Sequence, residues 1–147
     1  MHIRVMIVDD HNAVRENIKS FLSKCPEIDV VGEATDGENA TELAMKLSPD
    51  IVLMDINMPR LNGLEATRNI LKSHPETRIV ILSANAGTDF VAAGLKAGIS
   101  GYVLKSSISG ELIPALHAVM KNELFLSSQI TDVSIQDRTS KQPKVND

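Results

Sequence analysis

Three carboxylates, a hydroxyl and an amine stand at separate points of the chain, each at the end of a short apolar run. Asp9 and Asp10 follow Ile3-Arg-Val-Met-Ile-Val8, and Asp55 follows Ile51-Val-Leu-Met54. Ser83 follows Arg78-Ile-Val-Ile-Leu82, and Lys105 follows Gly101-Tyr-Val-Leu104. Runs of this length, rich in β-branched residues, read as buried strands. One acid after one strand is no more than a turn starter. The same pattern at four strand ends indicates a collected site.

Three acids meeting in one cleft repel one another, and without compensation at least one would hold a proton at neutral pH. A hard divalent cation removes that conflict, and an open donor set made of oxygen points to Mg²⁺ rather than zinc. One carboxylate can then act as a nucleophile toward phosphorus and form an aspartyl phosphate, with the metal offsetting charge on the phosphoryl oxygens. Asp55 is the candidate nucleophile, since it stands alone at the end of the central strand and leads into the loop signal Pro59-Arg-Leu-Asn-Gly63. Lys105 supplies a compact positive charge for one phosphoryl oxygen, and the Ser83 hydroxyl donates to another. His11 adjoins Asp10 but lies at the entry of the first helix, where a surface role is expected rather than a metal role. His2, His74 and His117 have no partner in the sequence.

These side chains meet only if the strands between them run parallel. Between the apolar runs lie helical patterns: Val14, Ile18, Phe21 and Leu22; Ala40, Leu43, Ala44 and Leu47; Leu64, Thr67, Ile70 and Leu71; Phe90 to Ala97; and Leu112, Leu116, Val119 and Met120. Ile28 to Gly32 reads as a further short strand, and Asp36 as a helix N-cap. Pro114 falls either in the first turn of the last helix or far enough inside to kink it. Five strands alternating with five helices form βαβ units, hence a parallel sheet covered on both faces. Size and order predict the flavodoxin-like doubly wound α/β fold, strand order 2-1-3-4-5, with ligands beyond the carboxyl ends of the strands. In that order the first and third strands are neighbours, so Asp9, Asp10 and Asp55 converge.

At 147 residues, 43% hydrophobic and 23% charged, the chain suits one globular domain. Its net charge of −4 argues against a nucleic-acid groove. The single cysteine, Cys25, precludes an internal disulfide and favours a reducing cytoplasm. No apolar run approaches the roughly 20 residues of a membrane span. Residues 1–122 form the expected domain; 123–147 read as linker or tail, although Leu124-Phe-Leu126 has enough apolar character to fold back on the body.

The Asp9-Asp10 pair, Leu53-Met-Asp55-Ile-Asn-Met-Pro59, Ser83-Ala84 and Gly101-Tyr-Val-Leu-Lys105 resemble the receiver domain of two-component response regulators. Asp9-Asp-His-Asn-Ala-Val-Arg15, Val30-Val-Gly-Glu-Ala34 and Ala97-Gly-Ile-Ser-Gly-Tyr-Val-Leu-Lys105 are similar to its NarL/FixJ (LuxR-type) branch. The resemblance implies that Asp55 accepts a phosphoryl group from a histidine kinase. Asp10, Asp55 and the backbone carbonyl of Asn57 would hold Mg²⁺, with Asp9 acting through a metal-bound water. Ser83 would move toward the phosphate while Tyr102 swings inward behind it, as a switch pair. In this branch a DNA-binding domain usually follows a linker. The chain therefore reads either as the receiver part of a transcriptional regulator, touching DNA only through an output domain it lacks, or as a stand-alone receiver acting through protein contacts. A homodimer fits both readings, its face left open. No membrane contact and no turnover enzyme is expected, only assistance to its own phosphorylation and dephosphorylation.

Several residues depart from the common pattern. Ser106 stands where many receivers place a proline after a cis bond, so the Lys105–Ser106 geometry is open. Asn12 and Asn17 replace apolar or small residues, and Asn57 and Asn85 flank the phosphate position, leaving its lifetime open. A dehalogenase-type phosphatase would require an acid at position 57, and a flavin site would require a hydroxyl- and glycine-rich loop where Asp9-Asp10 stands.

Overall fold

A computed structural model describes residues 2–56 and 62–130. Asn57, and the tail from Thr131, lie outside the described residues. The elements are β1 (Ile3–Val8), α1 (Asn12–Leu22), β2 (Ile28–Ala34), α2 (Gly37–Leu47), β3 (Ile51–Asp55), α3 (Gly63–Ser73), β4 (Arg78–Ser83), α4 (Thr88–Ala97), β5 (Gly101–Leu104), α5 (Ile108–Met120) and β6 (Phe125–Leu126). The strands form a parallel sheet in the order β2-β1-β3-β4-β5-β6. The expected flavodoxin-like order holds, with one short strand added at the β5 edge.

Both faces of the sheet are covered, which is why its strands are continuous apolar runs rather than alternating ones. Period-two alternation divides the core. Met6, Val8, Val52, Met54, Ile79 and Ile81 face α2, α3 and α4, while Val5, Ile7, Ile51, Leu53, Val80 and Leu82 face α1 and α5. Tyr102 lies on the first of these faces, fully buried.

Local chemistry sets the helix ends. Asp36 caps α2 by accepting from Asn39 N at 2.8 Å, and Asn62 caps α3 by accepting from Leu64 N and Glu65 N at 2.9 and 3.0 Å. Gly98 ends α4 in the left-handed region, at φ 99°. β2 runs two residues beyond the expected Gly32, because a register shift between Val5 and Met6 lets pairing resume as far as Ala34. Pro114 lies inside α5, so the Gly110 carbonyl one turn earlier loses its usual donor. Lys105–Ser107 is a turn of 3₁₀ helix, and no cis peptide occurs among the described residues, so the Lys105–Ser106 bond is trans.

Residues 123–130 pack as part of the body. Phe125 N donates to Ser100 O at 3.1 Å and Ser127 N to Tyr102 O at 2.9 Å, while Leu126 and Ile130 enter the core beside Tyr102 and Leu104.

Candidate functional site

Strand register brings the site together. Val8 pairs with Met54, Asp55 with Leu82 and Ser83 with Leu104. The residues just beyond β1 therefore lie beside Asp55, and Lys105 follows the residue beside Ser83. All emerge at the carboxyl edge of the sheet, where β-to-α loops leave room for a ligand.

Asp9 and Asp55 are almost fully buried, at 1% and 4% exposure, and Lys105 joins them. Its Nζ is 3.2 Å from Asp9 Oδ2 and 3.6 Å from Asp55 Oδ1. Two buried carboxylates facing each other repel, and the shared ammonium offsets part of that repulsion. The other oxygen of Asp9, Oδ1, accepts from His11 N at 2.8 Å. Asp10 is the exposed carboxylate of the three. His11 is both exposed and part of the group, its Nδ1 lying 3.1 Å from Asp9 Oδ1 and 3.1 Å from Asp10 Oδ1. Ligand atoms of Asp9, Asp10, His11 and Asp55 all fall within 4.8 Å of one another. Converging carboxylate oxygens at an open rim are a donor set that fits a hard divalent cation. The sequence expectation for His11, a surface role, omitted this second aspect of its position.

On the other side of Asp55, Ser83 and Tyr102 meet at the backbone of one residue, Asn85. Ser83 Oγ accepts from Asn85 N at 2.9 Å, and the Tyr102 hydroxyl donates to Asn85 O at 2.7 Å. Tyr102 thus occupies the inward position, and burial pushes its hydroxyl pKa up, opposed by the neighbouring Ser83 hydroxyl. The Asn85 side chain closes its own loop by accepting from Gly87 N at 2.7 Å. The contribution of the Asn85 backbone was not legible in sequence, since it depends on loop conformation rather than side-chain type.

Gly63 was read only as part of a loop signal, yet it rests on the Asp55 backbone. A Cβ built there would collide with Asp55 O and come within 2.8 Å of Ile56 Cα. At the far end of β5, Leu104 N donates to Ser127 Oγ at 2.9 Å in a buried contact, immediately before Lys105.

The fold and site define an α/β domain with a wound parallel sheet and an acidic, lysine-bridged cleft at its carboxyl edge. The model of the response regulator receiver domain matches residues 5–117. The transcriptional regulatory protein DegU of Brevibacillus brevis is 40% identical over 135 residues, covering 92% of this chain and 57% of that protein. The nitrate/nitrite response regulator NarL of Escherichia coli strain K12 is 40% identical over 129 residues, covering 88% of this chain and 60% of NarL. The crystal structure of a LuxR-family two-component response regulator from Aurantimonas sp. SI85-9A1 superposes with a TM-score of 0.89 at 37% identity, covering 95% of this chain and 99% of that one. The chain belongs to the response regulator receiver domain family, with relatives of the NarL and LuxR type. It spans about three fifths of the length of these curated relatives.

Proposed function

We propose that the chain is a phosphorylation-controlled switch in which Asp55 is the phosphoacceptor. The observation that carries this reading is the placement of Asp55: nearly buried, 3.6 Å from Lys105 Nζ, and within one donor cluster with Asp9 and Asp10. In the transfer, an Asp55 carboxylate oxygen forms a bond to phosphorus while the phosphorus–nitrogen bond of a histidine kinase's phosphohistidine breaks, and the leaving imidazole takes up a proton. Lys105 stabilises charge on one phosphoryl oxygen, and the Ser83 hydroxyl, its O–H turned away from Asn85 O, donates to another. Asp10 and Asp55 would hold Mg²⁺, with the Asn57 carbonyl as a further ligand and Asp9 one shell out; the ion supplies Lewis-acid stabilisation of the phosphoryl oxygens. Tyr102, whose hydroxyl donates to the carbonyl of the residue whose N–H Ser83 accepts, is the route from the site to the α4–β5–α5 face.

The domain accelerates its own phosphorylation and hydrolysis without turning over a separate substrate. It would act in the cytoplasm, and its partners would be a histidine kinase, a second copy, and DNA through an output domain of the kind transcriptional regulators require. The name of DegU, a transcriptional regulatory protein, supports that last step. No helix among the described residues is long and apolar enough to cross a membrane.

Asp55→Ala tests the central assignment. Labelling by acetyl phosphate, or saturation by beryllofluoride with Mg²⁺, should vanish; unchanged labelling would remove Asp55 from its role. Phosphotransfer profiling against the organism's histidine kinases would then identify the donor.

A further inference from the structure

We propose that Arg15 is a positioning residue for the acidic cleft, an inference that rests on the metal reading above. Asp9 lies just past the last paired residue of β1, so its carbonyl is beyond the sheet ladder. Arg15, in the first turn of α1, takes that carbonyl with Nη1 at 2.7 Å. The same guanidinium donates from Nε to Glu33 Oε1 on β2 at 3.0 Å and from Nη2 to Asn12 Oδ1 at 3.0 Å. Glu33 is itself held by Lys19 Nζ at 2.7 Å, and its carboxyl lies below the usual range, chiefly through that lysine. The Arg15 side chain is only 12% exposed.

One planar fork thus ties three elements: the strand end that bears Asp9 and Asp10, the first turn of α1 and the neighbouring strand β2. Three acceptors in three directions match the donors of a guanidinium, and an ammonium cannot serve them in the same way. The peptide so fixed is the one from which both carboxylates depart. Nothing in this arrangement brings the guanidinium to the phosphoryl group. Its action is to fix where the acids begin.

Charge and positioning predict opposite results. If Arg15 acted only as a nearby cation, Arg15→Met would lower repulsion and tighten Mg²⁺ binding, and Arg15→Lys would leave it unchanged. Positioning predicts that both variants weaken it. The experiment is calorimetric titration of the full chain with Mg²⁺ alone, with the melting temperature recorded separately so that affinity refers to folded protein. At least fivefold weaker binding is expected for Arg15→Met, and a smaller but measurable weakening for Arg15→Lys, which keeps the charge and the aliphatic stem. Should Arg15→Met unfold, Arg15→Lys alone decides. Wild-type affinity in Arg15→Lys, or tighter binding in Arg15→Met, overturns the proposal. Absence of Mg²⁺ binding in the wild type would instead overturn the metal reading, and this inference with it.

Discussion

Replacing Ser127 with alanine deletes one buried oxygen and nothing else of the β6 packing, which makes its cost calculable. Ser127 is fully buried and its Oγ accepts from Leu104 N at 2.9 Å, a donor at the end of β5 that no strand pairs. Alanine leaves that buried N–H without its acceptor. An orphaned buried donor costs about 1–3 kcal/mol. For a chain of this size, about 2 kcal/mol corresponds to a fall in melting temperature of roughly 4–8 °C. Glu111 adds a pH signature. The Ser127 hydroxyl, followed by the Ser128 donors, holds its carboxyl below its ordinary value of 4.5. A depressed carboxylate contributes stability that is present above the unfolded value and is lost as pH falls through the folded one. The gap between wild type and Ser127→Ala should therefore be widest near neutral pH and narrow below about pH 4.5. Glu111 is half-buried and still partly screened by solvent, so this narrowing is a small part of the total. Calorimetric melts at several pH values, with hydrogen exchange at the Leu104 amide, measure both effects. Equal melting temperatures at pH 7 with unchanged exchange at Leu104 would show that the Ser127 contact carries no stability.

Gly63→Ala drives a methyl group onto the Asp55 carbonyl; a cost of about 1–3 kcal/mol is expected from overpacking, together with at least tenfold weaker beryllofluoride saturation. Native affinity there would show that the Asp55 backbone tolerates displacement. Ser83→Ala should still be labelled by acetyl phosphate yet fail to shift the Tyr102 environment on labelling; a full shift would remove the hydroxyl from the relay. Tyr102 is the sole tyrosine and the chain has no tryptophan, so ultraviolet titration reads it directly. Its midpoint should lie above 10.0, because burial raises it. The matching stability is complete below the unfolded value and is lost as pH rises through the folded one, and a midpoint at or below 10.0 would contradict the buried inward position.

What could be read from sequence was whatever depends on period and residue type. Continuous β-branched runs marked β1, β3 and β4, because a strand buried on both faces has no polar positions to lose. The polar residues ending those runs placed Asp9, Asp55, Ser83 and Lys105 at one rim, since parallel strands share a carboxyl edge. Asp36 could be recognised as a cap from its place before the helical pattern. The remaining features arise from pairings across long sequence separations or from backbone shape. β6 is two residues long and draws its stability from β5 and α5, so Phe125–Leu126 carried no propensity signal of its own. The extension of β2 depends on a register shift that only the partner strand reveals. Arg15 reaches Glu33 across a helix and a strand, a contact that no local pattern encodes.

These nonlocal contacts share one physical cause. Function is placed where strands end, and strand ends are where the backbone ladder leaves N–H and C=O groups without partners. Here side chains supply the partners: Arg15 for the Asp9 carbonyl, Ser127 for the Leu104 N–H, Tyr102 for the Asn85 carbonyl and Ser83 for the Asn85 N–H. Each such side chain reaches the site from a different element, namely α1, the segment after β6, β5 and β4. A ligand that takes the Ser83 O–H must turn it from Asn85 O, to which it donates at 3.4 Å, and the same carbonyl accepts from the Tyr102 hydroxyl. Asn85 thus carries both contacts on the two peptides that flank its Cα, Ala84–Asn85 through the N–H and Asn85–Ala86 through the carbonyl, so a shift of this residue's backbone alters both. In the proposed switch, that shared backbone is the element through which a phosphoryl group on Asp55 would bear on Tyr102 and the face behind it.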